Sequence, residues 1–303
     1  MEPVRSVTLI DPQSDLWRRI EMIPVLTASG KGIAEAWENS LLELWKKGTR
    51  IRTEYDRDFD QPSIDATMVI VVEDPLTEPR IHLSIPSTFK DLWKYRREVV
   101  EGVHDHWIDP KSGKWSYTYH QRIFRYPVSD GEVNQVEYII EKLAKAPYSR
   151  RAQAITWKPD FDPRTDYPPC LQRIWLRCTE EKGVLTLNMN AHWRSRDAYK
   201  AAFMNMFALT ELQKEFARML SDKISREVRV GRYVDISDSY HIYGWDLQDF
   251  EQRFLRAVGE RKFYSDDIKS SRTIRLDHPL VQKEIKEADE ELEREKSKEL
   301  AIS

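Results

Sequence analysis

The stretch YPPCLQRIWLRCTEEKGVLTLNMNAHWRSRD, residues 167–197, decides the fold. Residues 171–178 and 184–191 have the apolar and β-branched character of strands, and the polar turn at 180–183 joins them as a hairpin. Pro168 and Pro169 rule out a helix immediately before Cys170. We therefore expect the Cys170 thiol at the mouth of the first strand, beside the polar cluster that follows the second.

The composition is that of an ordinary soluble globular protein, with 40% hydrophobic and 33% charged residues among 303. A net charge of −3 gives no case for binding to nucleic acid or membranes. Cys170 and Cys178 are too few for a disulfide framework or a four-ligand zinc site, which favours a reducing compartment. Residues 1–19 contain no apolar signal core, and no segment is apolar enough to span a bilayer. The sequence thus predicts a cytoplasmic protein with a single domain over residues 1–303.

Hydrophobic periodicity predicts the other elements. The predicted helices cover residues 32–47, 89–103, 135–145, 198–220 and 247–258. Strands are predicted at 66–72, at 152–157 and within 231–243, whereas the aromatic-rich stretch 113–126 is predicted to be loop or short strand. Residues 279–303 are mostly Glu and Lys, which indicates a solvated charged helix or a fraying tail.

Five short motifs follow one another along the chain. They are Ser149-Arg150-Arg151, Pro169-Cys170, Arg194-Ser195-x-Asp197, Asn205 and His241-Ile242-Tyr243. Their order resembles the thymidylate synthase family, which shares its fold with the pyrimidine-nucleotide hydroxymethylases. The sequences YTY at 117–119, PPCLQ at 168–172 and DSYHIY at 238–243 are most similar to the methanogen-type branch. Each motif alone is weak, but five in the right order are specific. The resemblance is good from 115 to 246, loose from 37 to 107 and absent after about 261.

The resemblance implies an α+β fold, with a mixed twisted β-sheet flanked by helices and sheets that pack against each other in a homodimer. It also implies transfer of a one-carbon unit from 5,10-methylene-tetrahydrofolate, or a related methylene-tetrahydropterin, to C5 of dUMP, giving dTMP. No metal is implied. His104-x-His106 with Asp105 and Asp109 mimics a ligand cluster, but a solvated surface is the simpler interpretation.

By this resemblance Cys170 is the nucleophile that attacks C6 of the uracil ring, since a thiolate adds and leaves easily. Neighbouring arginines are expected to lower the pKa of the thiol. A free cysteine is more often a buried structural residue. Cys178, which lacks comparable neighbours, is assigned that structural role.

The 5′-phosphate is assigned to arginines, because a guanidinium binds phosphate through two parallel hydrogen bonds. The resemblance implies Arg194 and Ser195 from one subunit, and Arg150 and Arg151 from its partner. An N-terminal arginine is also implied. Arg57 is the candidate for it and Arg52 the reserve.

Base and sugar recognition are assigned to side chains that follow Cys170. Asn205 offers both a donor and an acceptor, which match uracil N3–H and O4. Asp197 is implied to hold the base or the pterin ring. His241 and Tyr243 are two residues apart on a predicted strand, so they face the same side and fit a clamp on the sugar hydroxyl.

Proton transfer at C5 needs a carboxylate and a phenol. Tyr119 is the implied phenol. Glu98 is the candidate for the glutamate that organises the waters, with Glu101 as reserve. A glutamate on an amphipathic helix is nearly as often a simple solvated side chain.

Some positions depart from the family pattern. Leu171 follows the cysteine where bacterial members carry His, and His104 stands where many carry a tryptophan, with Trp107 at the next aromatic position. A polar residue at 104 admits water, so the product is left open between methyl and hydroxymethyl. The family's C-terminal tail is not recognisable in residues 300–303.

Two other functions remain open at this point. One is a deoxyuridylate or deoxycytidylate 5-hydroxymethylase that uses the same site. The other is a non-catalytic nucleotide- or RNA-binding module, which the presence of Cys170 and Tyr119 disfavours because binding alone needs no nucleophile.

Overall fold

A computed structural model describes residues 22–112 and 115–300. The predictions for residues 1–19 and 301–303 lie outside the described residues. The first half contains β1 (Val25–Gly30), α1 (Ile33–Lys47), β2 (Thr49–Ile51), β3 (Ser63–Val72), β4 (Ile81–His82), α2 (Phe89–Glu101), α3 (Tyr119–Phe124), β5 (Tyr126–Val128), β6 (Gly131–Val133) and α4 (Gln135–Lys145). The second half contains β7 (Gln153–Ile155), β8 (Leu171–Glu181), β9 (Val184–Trp193), β10 (Arg196–Asp197), α5 (Ala202–Ile224), β11 (Val228–Ile242), α6 (Leu247–Asp249), a π-helical segment (Phe250–Leu255), α7 (Arg256–Glu260), β12 (Thr273–Ile274) and α8 (Pro279–Leu300).

A mixed sheet forms the centre, with strand order β1-β3-β11-β9-β8-β7, β2 paired to β3 and β10 to β11. The β1–β3 and β11–β9 pairs are parallel, whereas β3–β11, β9–β8 and β8–β7 are antiparallel. Helices α1, α4 and α5 contact these strands. Burial alternates along β9 between fully buried and half-buried residues, so one sheet face is covered more completely than the other. Trp175, Asn190 and His192 lie on the half-buried face.

The predicted hairpin is present as β8 and β9, and it runs further than the apolar pattern indicates. Its tight turn is Lys182-Gly183, where φ is +49° and +82°. Two consecutive positive φ angles are typical of a hairpin turn whose twist matches that of its strands. The hairpin brings the residue before β8 and the residues after β9 to the same end of the sheet, because Leu171 pairs with Trp193.

Helix α2 has strong signals at both ends. Thr88 and Asp91 form a capping box at its start. Gly102 ends it in the left-handed conformation with φ +66°, and a Cβ there would lie 2.2 Å from the His120 ring. Only glycine fits this position without displacing the imidazole.

Two predictions differ from the structure. Residues 119–124 form α3 rather than loop or strand, with Thr118 accepting a hydrogen bond from the Gln121 amide as its cap. The charged C-terminal segment is a helix, which was one of the two predicted alternatives, but it is docked on α2 rather than solvated. Val281 and Ala288 of α8 are fully buried, and Lys90 of α2 forms an ion pair with Glu291. Among the described residues, no helix is long and apolar enough to cross a membrane.

Candidate active site

Cys170 lies directly before β8, at the end of the hairpin where β9 also ends. The Arg194 amide donates to its carbonyl at 2.9 Å. The Arg194 guanidinium donates to the carbonyls of Pro168 and Pro169 at 2.9 and 3.0 Å, and its Nη2 lies 3.8 Å from the thiol Sγ. The two prolines therefore present carbonyls that hold a cation next to the thiol.

A cavity of about 400 Å³ opens at this point, and we call it the Cys170 cavity. Seven of the predicted site residues line it: Tyr119, Cys170, Ser195, Asp197, Asn205, His241 and Tyr243. The other lining residues are Tyr95, Trp193, Arg196, Lys200, Ala201 and Met204. Elements far apart in sequence thus bring a thiol, an amide, an imidazole and phenols to one cavity, as ligand pockets require.

The pKa of the Cys170 thiol is raised, because burial disfavours the thiolate more strongly than the guanidiniums of Arg194 and Arg196 favour it. The arginines lower the pKa of the thiol, as expected, but their effect is smaller than that of burial. Arg196 is a residue that the motif reading did not single out. It is fully buried, pairs with Asp235 and lies over the Trp193 ring at 4.4 Å.

Tyr119 begins α3 and its hydroxyl accepts a hydrogen bond from the Leu171 amide at 3.3 Å. Burial, followed by the neighbouring Cys170, raises the pKa of Tyr119 to about 12. The phenol therefore keeps its proton at neutral pH. Its ring meets Trp193 edge-on at 5.8 Å, which orients the hydroxyl beside the strand that follows the cysteine.

Asn205 lies in the first turn of α5 and donates from Nδ2 to the Tyr95 hydroxyl at 2.7 Å. Both residues line the Cys170 cavity. Tyr95 comes from α2, and nothing in the local sequence distinguishes it from an ordinary core aromatic of an amphipathic helix. Its hydrogen bond uses one N–H of Asn205 and fixes the amide plane, so the second N–H and the carbonyl oxygen are left for a ligand.

His241 lies near the end of β11, and Tyr243 follows the last strand residue. Their rings contact each other at 4.6 Å, and Tyr243 stacks on Trp245 at 4.2 Å. Burial lowers the pKa of His241 to about 4, so the ring is neutral at pH 7. Its Nδ1 contacts the Ser239 hydroxyl at 3.1 Å, while the buried Nε2 has no partner in the part of the chain that the structure describes. An unpaired ring nitrogen in a cavity wall is ready to bind a ligand hydroxyl.

Asp197 also lines the cavity, and its Oδ1 accepts from the amides of Tyr199 and Lys200 at 3.0 and 2.8 Å. Burial raises the pKa of this carboxyl to about 6. The carboxyl is therefore a group of the site that changes charge close to neutral pH.

This raised pKa predicts a pH-dependent stability. The unfolded chain releases the proton near the ordinary value of about 4, whereas the folded protein holds it up to a pKa of about 6. The folded state therefore binds more protons in this window, and the free energy of unfolding falls as pH rises through it. As pH rises from about 4 to about 7, the free energy of unfolding of Asp197→Asn should increase by roughly 1–3 kcal/mol relative to that of wild type. Denaturant unfolding at a series of pH values measures this; a difference that stays constant with pH would contradict it.

Five predicted residues lie outside the lining of the cavity, and one of them, Arg194, is the cation already described beside Cys170. Arg57 is mostly exposed and forms a two-pronged ion pair with Asp60, and its reserve Arg52 donates to the Arg57 carbonyl. A better-placed side chain from the same loop is Tyr55, whose ring meets Tyr243 edge-on at 6.3 Å.

Arg150 and Arg151 are exposed, and they lie at the far end of the β8 strand. Continued past Gln153, the β7–β8 register places them level with Cys178 and Arg177. The Leu176 amide, which donates to the Ala152 carbonyl, continues this register, and the Trp175 indole, which donates to the Arg150 carbonyl, holds Arg150 against this part of β8. Cys170 is eight strand residues away, or roughly 26 Å at the usual rise. Within one chain these arginines cannot reach the thiol.

Glu98 lies on α2 and hydrogen-bonds His104 Nδ1 at 3.0 Å. His104 belongs to a second cavity, of about 600 Å³, between the C-terminal end of α2 and α8, which we call the α2–α8 cavity. Glu101, the reserve, lines this second cavity and pairs with Arg97 at 2.5 Å. Among the described residues, no group of three or more His, Cys, Asp or Glu side chains is arranged to hold a metal ion.

Comparison with known proteins decides the family. A sequence model of the family described as thymidylate synthase matches residues 87–303. The chain belongs to the thymidylate synthase family. A Methanosarcina mazei protein provisionally named thymidylate synthase is 30% identical over 219 residues, covering 72% of this chain and 90% of that protein. A Methanocaldococcus jannaschii protein with the same provisional name is 29% identical over 220 residues, covering 70% of this chain and 87% of the relative.

A solved structure agrees with the predicted fold. The thermostable thymidylate synthase A from Bacillus subtilis matches with a TM-score of 0.53 at 20% identity, covering 74% of this chain and 84% of that chain. The α+β thymidylate synthase fold predicted from the motifs is thus confirmed. The family match runs to residue 303, well past the point near 261 where recognisable motifs end. It starts at residue 87, so β1 to β4 and the Arg57 loop lie before it.

Proposed function

We propose that the protein methylates dUMP at C5, with a methylene-tetrahydropterin as one-carbon donor. The observation that carries this is the Cys170 thiol, held 3.8 Å from the Arg194 guanidinium at a cavity that also contains Asn205 and His241. A nucleophile, an anion-binding group, an amide and a hydroxyl-binding ring are the groups needed to hold and activate a pyrimidine nucleotide.

Cys170 adds to C6 of the uracil ring, and the C5–C6 double bond becomes an enolate whose C5 is nucleophilic. Arg194 and Arg196 favour the thiolate that this step requires, against the burial that opposes it. The co-substrate supplies a one-carbon unit and then a hydride. Tyr119, protonated and close to the cysteine, orients the water that takes the proton from C5. Departure of the thiolate restores the double bond.

The experiment that tests this uses dUMP labelled with tritium at C5, together with methylene-tetrahydrofolate. Wild type should release tritium, form dihydropterin with its rise in absorbance, and give a product with the mass of dTMP. Release of no tritium under saturating conditions would rule the proposal out.

Phosphate binding is assigned to Arg194 and Ser195 from the same chain, at the Cys170 end of the cavity. Arg150 and Arg151 complete the site from a second copy. Their distance of roughly 26 Å from Cys170 within one chain supports this, as does the half-buried sheet face that carries Trp175, whose indole donates to the Arg150 carbonyl at 3.0 Å. A homodimer formed through that face places these arginines beside the partner's cavity.

The base is read by Asn205, whose amide supplies an acceptor for N3–H and a donor for O4 of uracil. Asn205→Asp should shift the preference towards dCMP, because a carboxylate accepts from the cytosine amino group but cannot donate to O4. We expect kcat/KM for dUMP to fall by roughly 100-fold and the ratio dCMP/dUMP to rise. Competition between the two labelled nucleotides measures this ratio; a ratio unchanged by the substitution would remove Asn205 from base recognition.

A second candidate function, 5-hydroxymethylation, is favoured by one observation. His104 places a polar ring in a cluster with Trp107 and Trp115, at ring distances of 3.9 and 6.0 Å. His104 lines the α2–α8 cavity and not the Cys170 cavity, so a water that it binds has to enter the Cys170 cavity before it can add to the exocyclic methylene in place of the hydride. The mass of the product separates the two reactions, because the hydroxymethyl nucleotide carries one more oxygen and no dihydropterin forms.

A further inference from the structure

Tyr95 brings a phenol from α2 to the wall of the Cys170 cavity. Leu92 and Val99, three residues before it and four after it, are buried, so the three side chains share the face of α2 that packs on the core. The side chain of Tyr95 is only half-buried. Its ring therefore packs with the core, while part of its surface stays open to the cavity.

The hydroxyl of Tyr95 keeps its proton at neutral pH. Burial, followed by the neighbouring Tyr119 and Glu98, raises the pKa of Tyr95 well above its ordinary value of about 10. The oxygen accepts a hydrogen bond from Asn205 Nδ2 at 2.7 Å, and no acceptor among the described residues takes the phenolic proton. The O–H is therefore available to a ligand in the cavity.

The described lining of the Cys170 cavity contains no glutamate, although the family resemblance implies one near the pyrimidine. Glu98 contacts His104 Nδ1 at 3.0 Å instead, and Glu101 lines the α2–α8 cavity. Asp197 is the one carboxyl in the described lining, and its Oδ1 already accepts two backbone amides. The group next to Asn205 is thus a neutral phenol and not a carboxylate.

Addition of Cys170 to C6 places negative charge on O4 of the pyrimidine. The sulfur supplies the electron pair of the new C6–S bond, the C5–C6 π pair moves to the C4–C5 bond, and the C4–O4 π pair moves onto O4. A carboxylate beside O4 would repel this charge. A neutral O–H donor stabilises it without any transfer of a proton.

We propose that Tyr95 is a further catalytic residue, whose hydroxyl donates a hydrogen bond to O4 of the pyrimidine and stabilises the enolate. The inference rests on the proposed function, in which Asn205 binds O4 through an amide N–H. Because Asn205 Nδ2 lies 2.7 Å from the Tyr95 oxygen, an O4 atom that accepts the second N–H of this amide is also within reach of the phenol. Tyr95 keeps its proton throughout, and the electron pair on O4 returns to the C4–O4 bond when C5 attacks the one-carbon unit.

The first test compares Tyr95→Phe with wild type. Phenylalanine keeps the ring with which α2 packs against α5 and removes only the hydroxyl, so the fold should be retained. We expect single-turnover tritium release from C5-labelled dUMP to fall by roughly 100-fold. Affinity for dUMP, measured by isothermal titration, should change by no more than a few-fold, because the full charge on O4 develops only during the addition.

A second substrate identifies the atom that Tyr95 contacts. In 4-thio-dUMP a sulfur, which is a weak hydrogen-bond acceptor, replaces O4. Tyr95→Phe should therefore slow tritium release from C5-labelled 4-thio-dUMP by only about fivefold or less. A phenol that merely supports the fold would cost the same factor with both nucleotides. That result, or a Tyr95→Phe enzyme with the wild-type rate on dUMP, would overturn this inference alone.

Tyr240→Phe is the matched control. The hydroxyl of Tyr240 is also buried and contacts Ser40 Oγ at 2.8 Å, but Tyr240 is not among the residues that line the Cys170 cavity. Ser40 keeps its hydrogen bond to the Trp37 carbonyl in the variant, which should release tritium from both nucleotides at the wild-type rate. Thermal unfolding compares the stability of the two variants. Equal loss of activity in both would also count against Tyr95, whereas no tritium release in wild type would overturn the proposed function itself.

Discussion

Cys170→Ala should lower tritium release from C5-labelled dUMP by roughly 10⁴-fold or more. The reaction needs a bond to C6 before C5 becomes nucleophilic, and alanine cannot form it. Binding of dUMP should change by no more than a few-fold, because the guanidinium of Arg194 is held by the carbonyls of Pro168 and Pro169 whether or not the thiol is present. Isothermal titration with dUMP and single-turnover tritium release measure the two effects separately.

The chain supplies its own control in Cys178, the other cysteine. It lies eight residues further along the hairpin, is nearly fully buried, and its thiol pKa is raised to about 11 by burial. Cys178→Ala should cost about 1 kcal/mol of stability and leave tritium release intact. If Cys170→Ala retained turnover, or if the two variants lost activity equally, covalent catalysis by Cys170 would be wrong.

Elements with a strong local pattern were predictable from sequence. Helix α4 has the predicted bounds because Val136, Ile139, Ile140 and Leu143 form a stripe at helical spacing, and all four are buried. Helix α3 could not be predicted from the sequence, because its six residues make less than two turns and its aromatic neighbours favour strands. The docking of α8 was also missed. Its few apolar residues are outnumbered by Glu and Lys, and only the tertiary structure shows that α2 buries them.

The residues that line the candidate site could be predicted where they belong to one of the five motifs that follow one another along the chain. Cys170, Asn205 and His241 line one cavity as the motifs imply. Arg196 and Tyr95 were missed for a physical reason, since both act through partners distant in sequence. Arg196 forms an ion pair with Asp235, and the Tyr95 hydroxyl accepts a hydrogen bond from Asn205. The local sequence does not distinguish a buried arginine such as Arg196 from one on the surface. Nor does it distinguish Tyr95 from an ordinary aromatic residue of the core.

The second large effect concerns that missed cation. Arg196→Met should destabilise the protein by about 3–5 kcal/mol, because it leaves the Asp235 carboxylate buried without its counter-charge. Asp235 is fully buried and, among the residues that the structure describes, keeps the hydroxyls of Tyr233 and Ser237 as its side-chain partners in the variant. The double variant Arg196→Met/Asp235→Asn should recover most of the loss, since the uncompensated charge is gone. Urea unfolding of the single and double variants measures this.

The same substitution should also act on the thiol. Arg196 is one of two cations that lower the pKa of Cys170, so Arg196→Met should move the pH dependence of Cys170 alkylation to higher pH. Arg122 provides the contrast, because it is equally buried and pairs with Asp162 at 2.6 Å, yet it does not contribute to the thiol pKa. Arg122→Met should therefore lose similar stability without moving the alkylation profile. Equal shifts in both variants would mean that loosened packing, and not the Arg196 charge, controls the reactivity of Cys170.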